Sequence, residues 1–207
     1  MKAHGLRIWI EATAPGPGEG NDAVPELQFG VAQQVPEKEI LLRLRSAISN
    51  KLSAWKEWPK QDIVKDHDAF VIAINGRRMR PGIGDSEPPY IAKAVFPIGP
   101  LVVVWDKNTD GIVDSYYDTR VTLNKKSGAE VRTDIFLTKE YREVSAVIYC
   151  FADMVNRPAN EGDEFRLVHN PMASRPIPKG FLARGREYWI EDSELVTKTW
   201  SKDPRSN

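Results

Sequence analysis

An internal disulfide is closed to this chain. Its one cysteine, Cys150, can form neither an internal bridge nor a Cys-based zinc site. Lying within the apolar run 144–151, it reads as a small buried hydrophobe. Long hydrophobic runs are missing as well. Nothing approaches the ~20 apolar residues of a membrane helix, and the polar start Met1–Gly5 lacks the apolar stretch of a secretion signal. Charge of one sign is not in excess either: 29 basic and 29 acidic side chains cancel, so no global field draws in nucleic acid or an anionic membrane. His4, His67 and His169 are scattered and do not suggest a zinc site. No repeat, coiled coil, Gly-x-Ser-x-Gly turn or Walker loop occurs. The expectation is a cytoplasmic protein with no membrane partner, whose contact with DNA or RNA must come from a local patch.

What remains is a globular composition. Of 207 residues, 41% are hydrophobic and 28% charged, and six Trp, six Tyr and seven Phe can fill a sizeable core. That length suits a single domain over residues 1–200 followed by a polar tail, 201–207. Leu6–Ala12 alternates with period two and reads as a strand. It stops at Thr13–Asp22, a loop too rich in Pro and Gly for a regular element. Pro36 then opens the clearest helix, to about Trp58, whose apolar stripe is Leu41, Leu44, Ile48, Leu52 and Trp55, with Pro59 as its stop. A helical wheel sets Arg45 and Lys51 on opposite flanks of that stripe and Arg43 toward solvent. Apolar strands are expected at 69–74, 101–105, 116–123, 144–151, 165–169 and 186–190, with short helices over 89–96 and 136–143. These elements predict an α/β fold (α+β being the alternative): a mixed β-sheet with one long amphipathic helix packed on one face.

Glu11 and Lys51 are the residues best suited to chemistry. A carboxylate at a strand end beside an irregular loop can hold a divalent cation, and a flanking lysine can stretch its stem over the core to bring its ammonium to the same place. Hard oxygen ligands suit Mg²⁺, which accepts one or two carboxylates and keeps several waters. The bland reading of Glu11 is a surface acid on an edge strand. The order strand–Glu-x-small, loop, helix with Arg and Lys, apolar strand resembles the later half of a restriction-endonuclease-like (PD-(D/E)xK) core. The segments IWIEATAPGPGEGNDAVPE, LLRLRSAISNKLSAWK and FVIAING also resemble bacterial proteins carrying such a core. The resemblance implies a Mg²⁺-dependent phosphodiesterase or endonuclease, with Glu11 and Lys51 catalytic and Glu11 a metal ligand. Two departures stand out. The Glu-x-Lys of that superfamily is Glu11-Ala12-Thr13 here, and no Asp precedes Glu11, so the chain is expected to be a shortened or degenerate form of the core. Asp22 in the following loop and Asp68 before the next strand are the acids available to complete a shell, Asp22 being the expected second ligand. A non-catalytic binding or assembly module of the same fold is the alternative.

Two further features carry weaker signals. Arg77, Arg78 and Arg80, with Arg43, Arg45 and Lys51, form a candidate phosphate-tracking face, in which Arg45, Arg77 and Arg78 are the expected nucleic-acid contacts. Clustered loop arginines are otherwise simply solvated. Asp106–Asp114 fits the first nine positions of an EF-hand loop, so a calcium-stabilised β-rich domain is a third reading. Its twelfth position is Tyr117 rather than a bidentate Glu, and Asn, Asp and Gly are equally the residues of a polar hairpin turn, which is favoured. Calorimetric titration of the chain with Ca²⁺ should therefore give no binding heat.

Overall fold

The computed structural model describes residues 2–3, 6–28, 30–58, 64–79 and 84–200. The expectations for the tail 201–207 and for His4, Pro59 and Arg80 lie outside them. A two-residue strand β1 (Lys2–Ala3) pairs antiparallel with β2 (Leu6–Thr13). Next come α1 (Glu37–Glu57), β3 (Ala69–Asn75), the short α2 (Tyr90–Val95), β4 (Ile98–Asp106) and β5 (Gly111–Thr119). The chain continues through β6 (Thr122–Asn124), β7 (Glu130–Arg132), β8 (Val144–Cys150), β9 (Arg166–His169), β10 (Gly185–Glu191) and β11 (Glu194–Trp200). Seven strands form one mixed sheet in the order β1-β2-β3-β8-β9-β10-β11, while β4–β5 and β6–β7 are separate hairpins. The expected mixed sheet with one long helix on a face is what the chain builds.

Three of the sheet's strands, β2, β3 and β8, run parallel. Parallel neighbours need a crossover, and α1 supplies the one between β2 and β3. All five residues of its predicted stripe are buried, packed with Phe70, Ile72 and Ile74 of β3 and Val147 and Tyr149 of β8 in the larger core. Aromatic packing sets the depth of the helix. Trp55 stacks on Phe70 at 4.2 Å and 9°, and Trp58 meets Trp9 edge-on at 6.1 Å. The opposite face of the sheet presents Ile8, Val71, Ala146, Ile148 and Leu167, covered by Ile177, Phe181 and Leu182. Those three lie on the connection between β9 and β10, which also pair in parallel and so force a second crossover. Glu187, fully buried on β10, anchors that crossover by accepting a 2.8 Å bond from the Gly180 amide.

Several local expectations change. The strand foreseen at 116–123 is instead β5, which starts immediately after the Asp106–Asp110 turn, followed by a break at Arg120–Val121 and the short β6. The turn itself is closed by Asp106, whose two oxygens accept from the Asn108 amide and the Thr109 hydroxyl. It joins strands, as a hairpin turn does, not helices. The segment expected as a helix over 136–143 is two 3₁₀ turns, Ile135–Leu137 and Lys139–Tyr141. The edge strand β11 was not foreseen. Its signal is a two-residue loop, Asp192-Ser193, with both residues at positive φ (50° and 67°), the geometry of a tight hairpin. Because the buried Trp55 ring stacks on the fully buried Phe70, Trp55→Ala should lower the unfolding free energy by about 3–5 kcal/mol in urea titration.

Candidate functional site

Glu11 sits two residues from the end of β2, on the same side of the strand as Trp9, and therefore toward α1. Lys51 is four turns into α1, one turn before Trp55, the residue that clamps the helix to the sheet. The crossover thus brings the two together: Lys51 Nζ donates to Glu11 Oε1 at 2.6 Å. Both side chains are about three-quarters buried, at 25% and 21% exposed. The other carboxylate oxygen of Glu11, Oε2, is buried and makes no hydrogen bond among the described residues. A buried acceptor left unpaired costs about 1–3 kcal/mol, so this oxygen is open to a cation or a donor.

The other predicted residues have different fates. Arg45 is a correction. It is buried in a second layer over α1, where Nε donates to the Arg132 carbonyl at 2.7 Å and Nη2 to the Tyr141 hydroxyl at 3.1 Å. Its guanidinium lies 5.0 Å from the centre of the Tyr141 ring. The helix has cover on more than one flank, so a wheel flank that reads as surface is interior, and Arg45 is engaged within the protein instead of at its surface. Arg43 is likewise not free in solvent: Nε donates to the Gly16 carbonyl, and Gly18, at φ +91°, packs so closely that a Cβ there would lie 2.9 Å from Arg43 Cδ. The Pro- and Gly-rich loop is thereby folded down onto the helix, with Val24 in the core.

Asp22 is engaged at the turn between β6 and β7, where Oδ1 accepts from the Lys126 amide at 2.9 Å. Asp68 belongs to the other end of the strands, since Ala69 pairs with Ile8 whereas Glu11 pairs with Ile72, three residues or ~10 Å further along. Burial works to raise the Asp68 carboxyl, but the Lys65 amide and Trp9 indole, with Arg7 and His67 nearby, hold it below the usual range. Among the described residues no three His, Cys, Asp or Glu side chains converge on a metal-sized site. Arg77 is paired with Asp153 at 2.6 Å, while Arg78 is exposed beyond β3. Comparison with protein families, curated proteins and solved structures finds no match. The case therefore rests on geometry.

Sequence reasoning missed a second polar cluster beyond the end of β8. Asp85 borders a cavity of about 320 Å³ with Arg157, Asp163, Glu164 and Arg166. Its Oδ1 accepts from the Ser86 and Tyr90 amides, whereas Oδ2 is buried without a hydrogen bond and 4.0 Å from Arg166 Nε. Burial pushes this carboxyl up to about 6, against the pull of the two amides and Arg166. The Tyr149 hydroxyl is buried and raised well above its ordinary value, by burial first and then by the charges of Asp85 and Tyr90. Nothing in Gly84-Asp85-Ser86 marks this in the sequence; only the closure of the loop over β8 buries the acid. His169 meets the buried Glu187 at 3.2 Å. A cavity of about 550 Å³ lies by Asp68, Arg142 and Arg175, at the strand ends remote from Glu11.

The pH dependence that follows has a definite sign. The folded state holds the Asp85 proton up to about pH 6, whereas an ordinary aspartate releases it near 3.8. Between those values folded molecules carry more protons than unfolded ones, so stability falls as pH rises through the window and levels off above it. Asp85→Asn should remove that fall, up to about 3 kcal/mol, when urea unfolding is compared at pH 4 and pH 7.

Proposed function

We propose that this chain is a metal-dependent, nuclease-like protein acting on nucleic acid through Glu11 and Lys51. The observation that carries the reading is the 2.6 Å contact of Lys51 with one oxygen of Glu11 while the other oxygen stays buried and unpaired. A hard carboxylate oxygen without a partner fits Mg²⁺, which takes as few as one or two protein carboxylates and completes its shell with water and phosphate oxygens. Glu11 would hold the ion. When bound, it polarises a phosphoryl oxygen and lowers the pKa of an attacking water. Lys51 keeps a positive charge beside that point, where it steadies negative charge building on the phosphate. Arg78, exposed past the end of β3, is the predicted arginine left to meet a phosphate backbone. The order of β2, α1 and β3 agrees with the restriction-endonuclease-like resemblance of the segments around Glu11 and Lys51.

A second reading draws on the same pair. Lys51 already neutralises Glu11 at hydrogen-bond distance, so the contact is also complete as a structural ion pair in a non-catalytic binding module. Cleavage assays on single- and double-stranded DNA and on RNA separate the two. On the catalytic reading, Mg²⁺-dependent cleavage is lost with EDTA and falls about 100-fold or more in Glu11→Gln and in Lys51→Met. Because the pair is only partly buried, both variants should stay folded, within about 1–2 kcal/mol of the natural chain. No cleavage at all, or cleavage indifferent to Glu11→Gln, overturns it in favour of the structural pair.

A further inference from the structure

The β4–β5 hairpin is a two-stranded sheet of its own, and its hydrogen bonds to the body among the described residues lie toward its base. There the Arg120 amide donates to the Pro97 carbonyl and the Tyr117 hydroxyl donates to the Glu87 carbonyl. Beyond that base the arm is bare. Leu101, Val103, Trp105, Ile112, Val113 and Tyr116 are each about half exposed or more, and Val104 is exposed as well. Val103 and Val104 point to opposite faces, so neither face is covered. An isolated two-stranded ribbon of this kind is marginal in water, and a contiguous apolar surface of this size marks an interaction site.

The sequence of the arm says what covers it. Ile98–Thr119 carries four aspartates, Asp106, Asp110, Asp114 and Asp118, against the single Lys107. Such a ribbon is repelled by a phosphate backbone, which excludes a nucleic-acid groove as its seat. The two edges differ. Along β5, Asp114 and Asp118 guard the strand as charges on an edge normally do. Along β4, Leu101–Trp105 holds no charge, no Pro and no Gly, and among the described residues its one ladder partner is β5, which leaves its outer edge open to a further strand. An uncharged edge can pair with itself across a two-fold axis without bringing like charges together, whereas the β5 edge would set carboxylates near one another. Pairing at this edge sets the apolar side chains of the two β4 strands beside one another on the same faces of the sheet.

We infer that β4 pairs antiparallel with β4 of a second copy of this chain, centred on Val103, to make a four-stranded sheet β5-β4-β4-β5 at an isologous dimer interface. Leu101 then faces Trp105 of the second copy, and the two Val103 side chains meet near the axis. The inference is independent of the Glu11–Lys51 reading.

Sedimentation of the full chain over roughly 1–100 µM should give a particle of twice the 23.4 kDa chain mass. Val103→Lys should weaken association at least tenfold with unchanged circular dichroism, since the side chain is half exposed. Met154→Ser, at an exposed apolar residue outside the arm, should leave association unchanged. In a Cys150→Ser background, Val103→Cys should form an intermolecular disulfide under mild oxidation, while Val113→Cys on β5 should not. A monomer throughout, a dimer indifferent to Val103→Lys, or cross-linking at position 113 in place of 103 overturns the inference.

Discussion

Parallel pairing of β2 with β3 obliges the chain between them to return the length of the sheet, and the rest of the molecule follows from how it does so. The return is made by α1, pressed onto the sheet by the stacking of Trp55 on Phe70. With the helix clamped at that point, the side chain one turn earlier reaches back over β2, and Lys51 meets Glu11. The same clamp holds the outer side of the helix against a second layer, in which Arg45, Tyr141 and the 3₁₀ turns are packed. Site and core are thus consequences of one crossover.

A chain with no net charge still has strong local electrostatics, because its charges are spent in pairs at specific depths. The partly exposed Glu37 joins Arg120 and the buried Lys93. Deeper, Arg45 is satisfied by a carbonyl and a phenol rather than an acid, and Glu187 by an amide and His169. Among the described residues, one oxygen each of Glu11, Asp68, Asp85 and Glu187 and the hydroxyl of Tyr149 are buried without a hydrogen bond, although Asp68 and Asp85 each keep an arginine within 4.0 Å of that oxygen. Buried acceptors without partners are costly. Glu11 combines such an oxygen with an adjacent cation near a strand end. Asp85 instead has an oxygen whose burial raises its proton affinity.

Periodicity made the helix, its stripe and the parallel strands legible, since α1, β3 and β8 are long, apolar and bounded by Pro, Gly or polar turns. The adjacency of Glu11 and Lys51 was legible as well, because a strand end and a helix flank joined by one crossover leave little freedom. Arg45 was not. A wheel measures angles from a single stripe and cannot register a second layer contributed by residues 123–141. Asp22 was not legible for a related reason: the loop holding it is pinned by Arg43 and Val24 to the helix and leads to Lys126, a hundred residues away in sequence. Long-range partners of loop acids leave no periodic trace.

By itself the sequence determined the class of the fold, the amphipathic helix, the lack of an internal disulfide, and the turn chemistry at Asp106–Asp110, because each depends on residue type and short-range spacing. Tertiary structure alone decided which charges are buried. It drew Arg45 inside, sent Asp22 to the β6–β7 turn, raised Asp85 and left one oxygen of Glu11 unpaired, since burial is a property of what lies on top of a residue. It likewise left the β4 edge without a second strand among the described residues. An apolar strand reads the same in the sequence whether it joins the main sheet or stands apart from it, and only the packing of the rest of the chain separates the two.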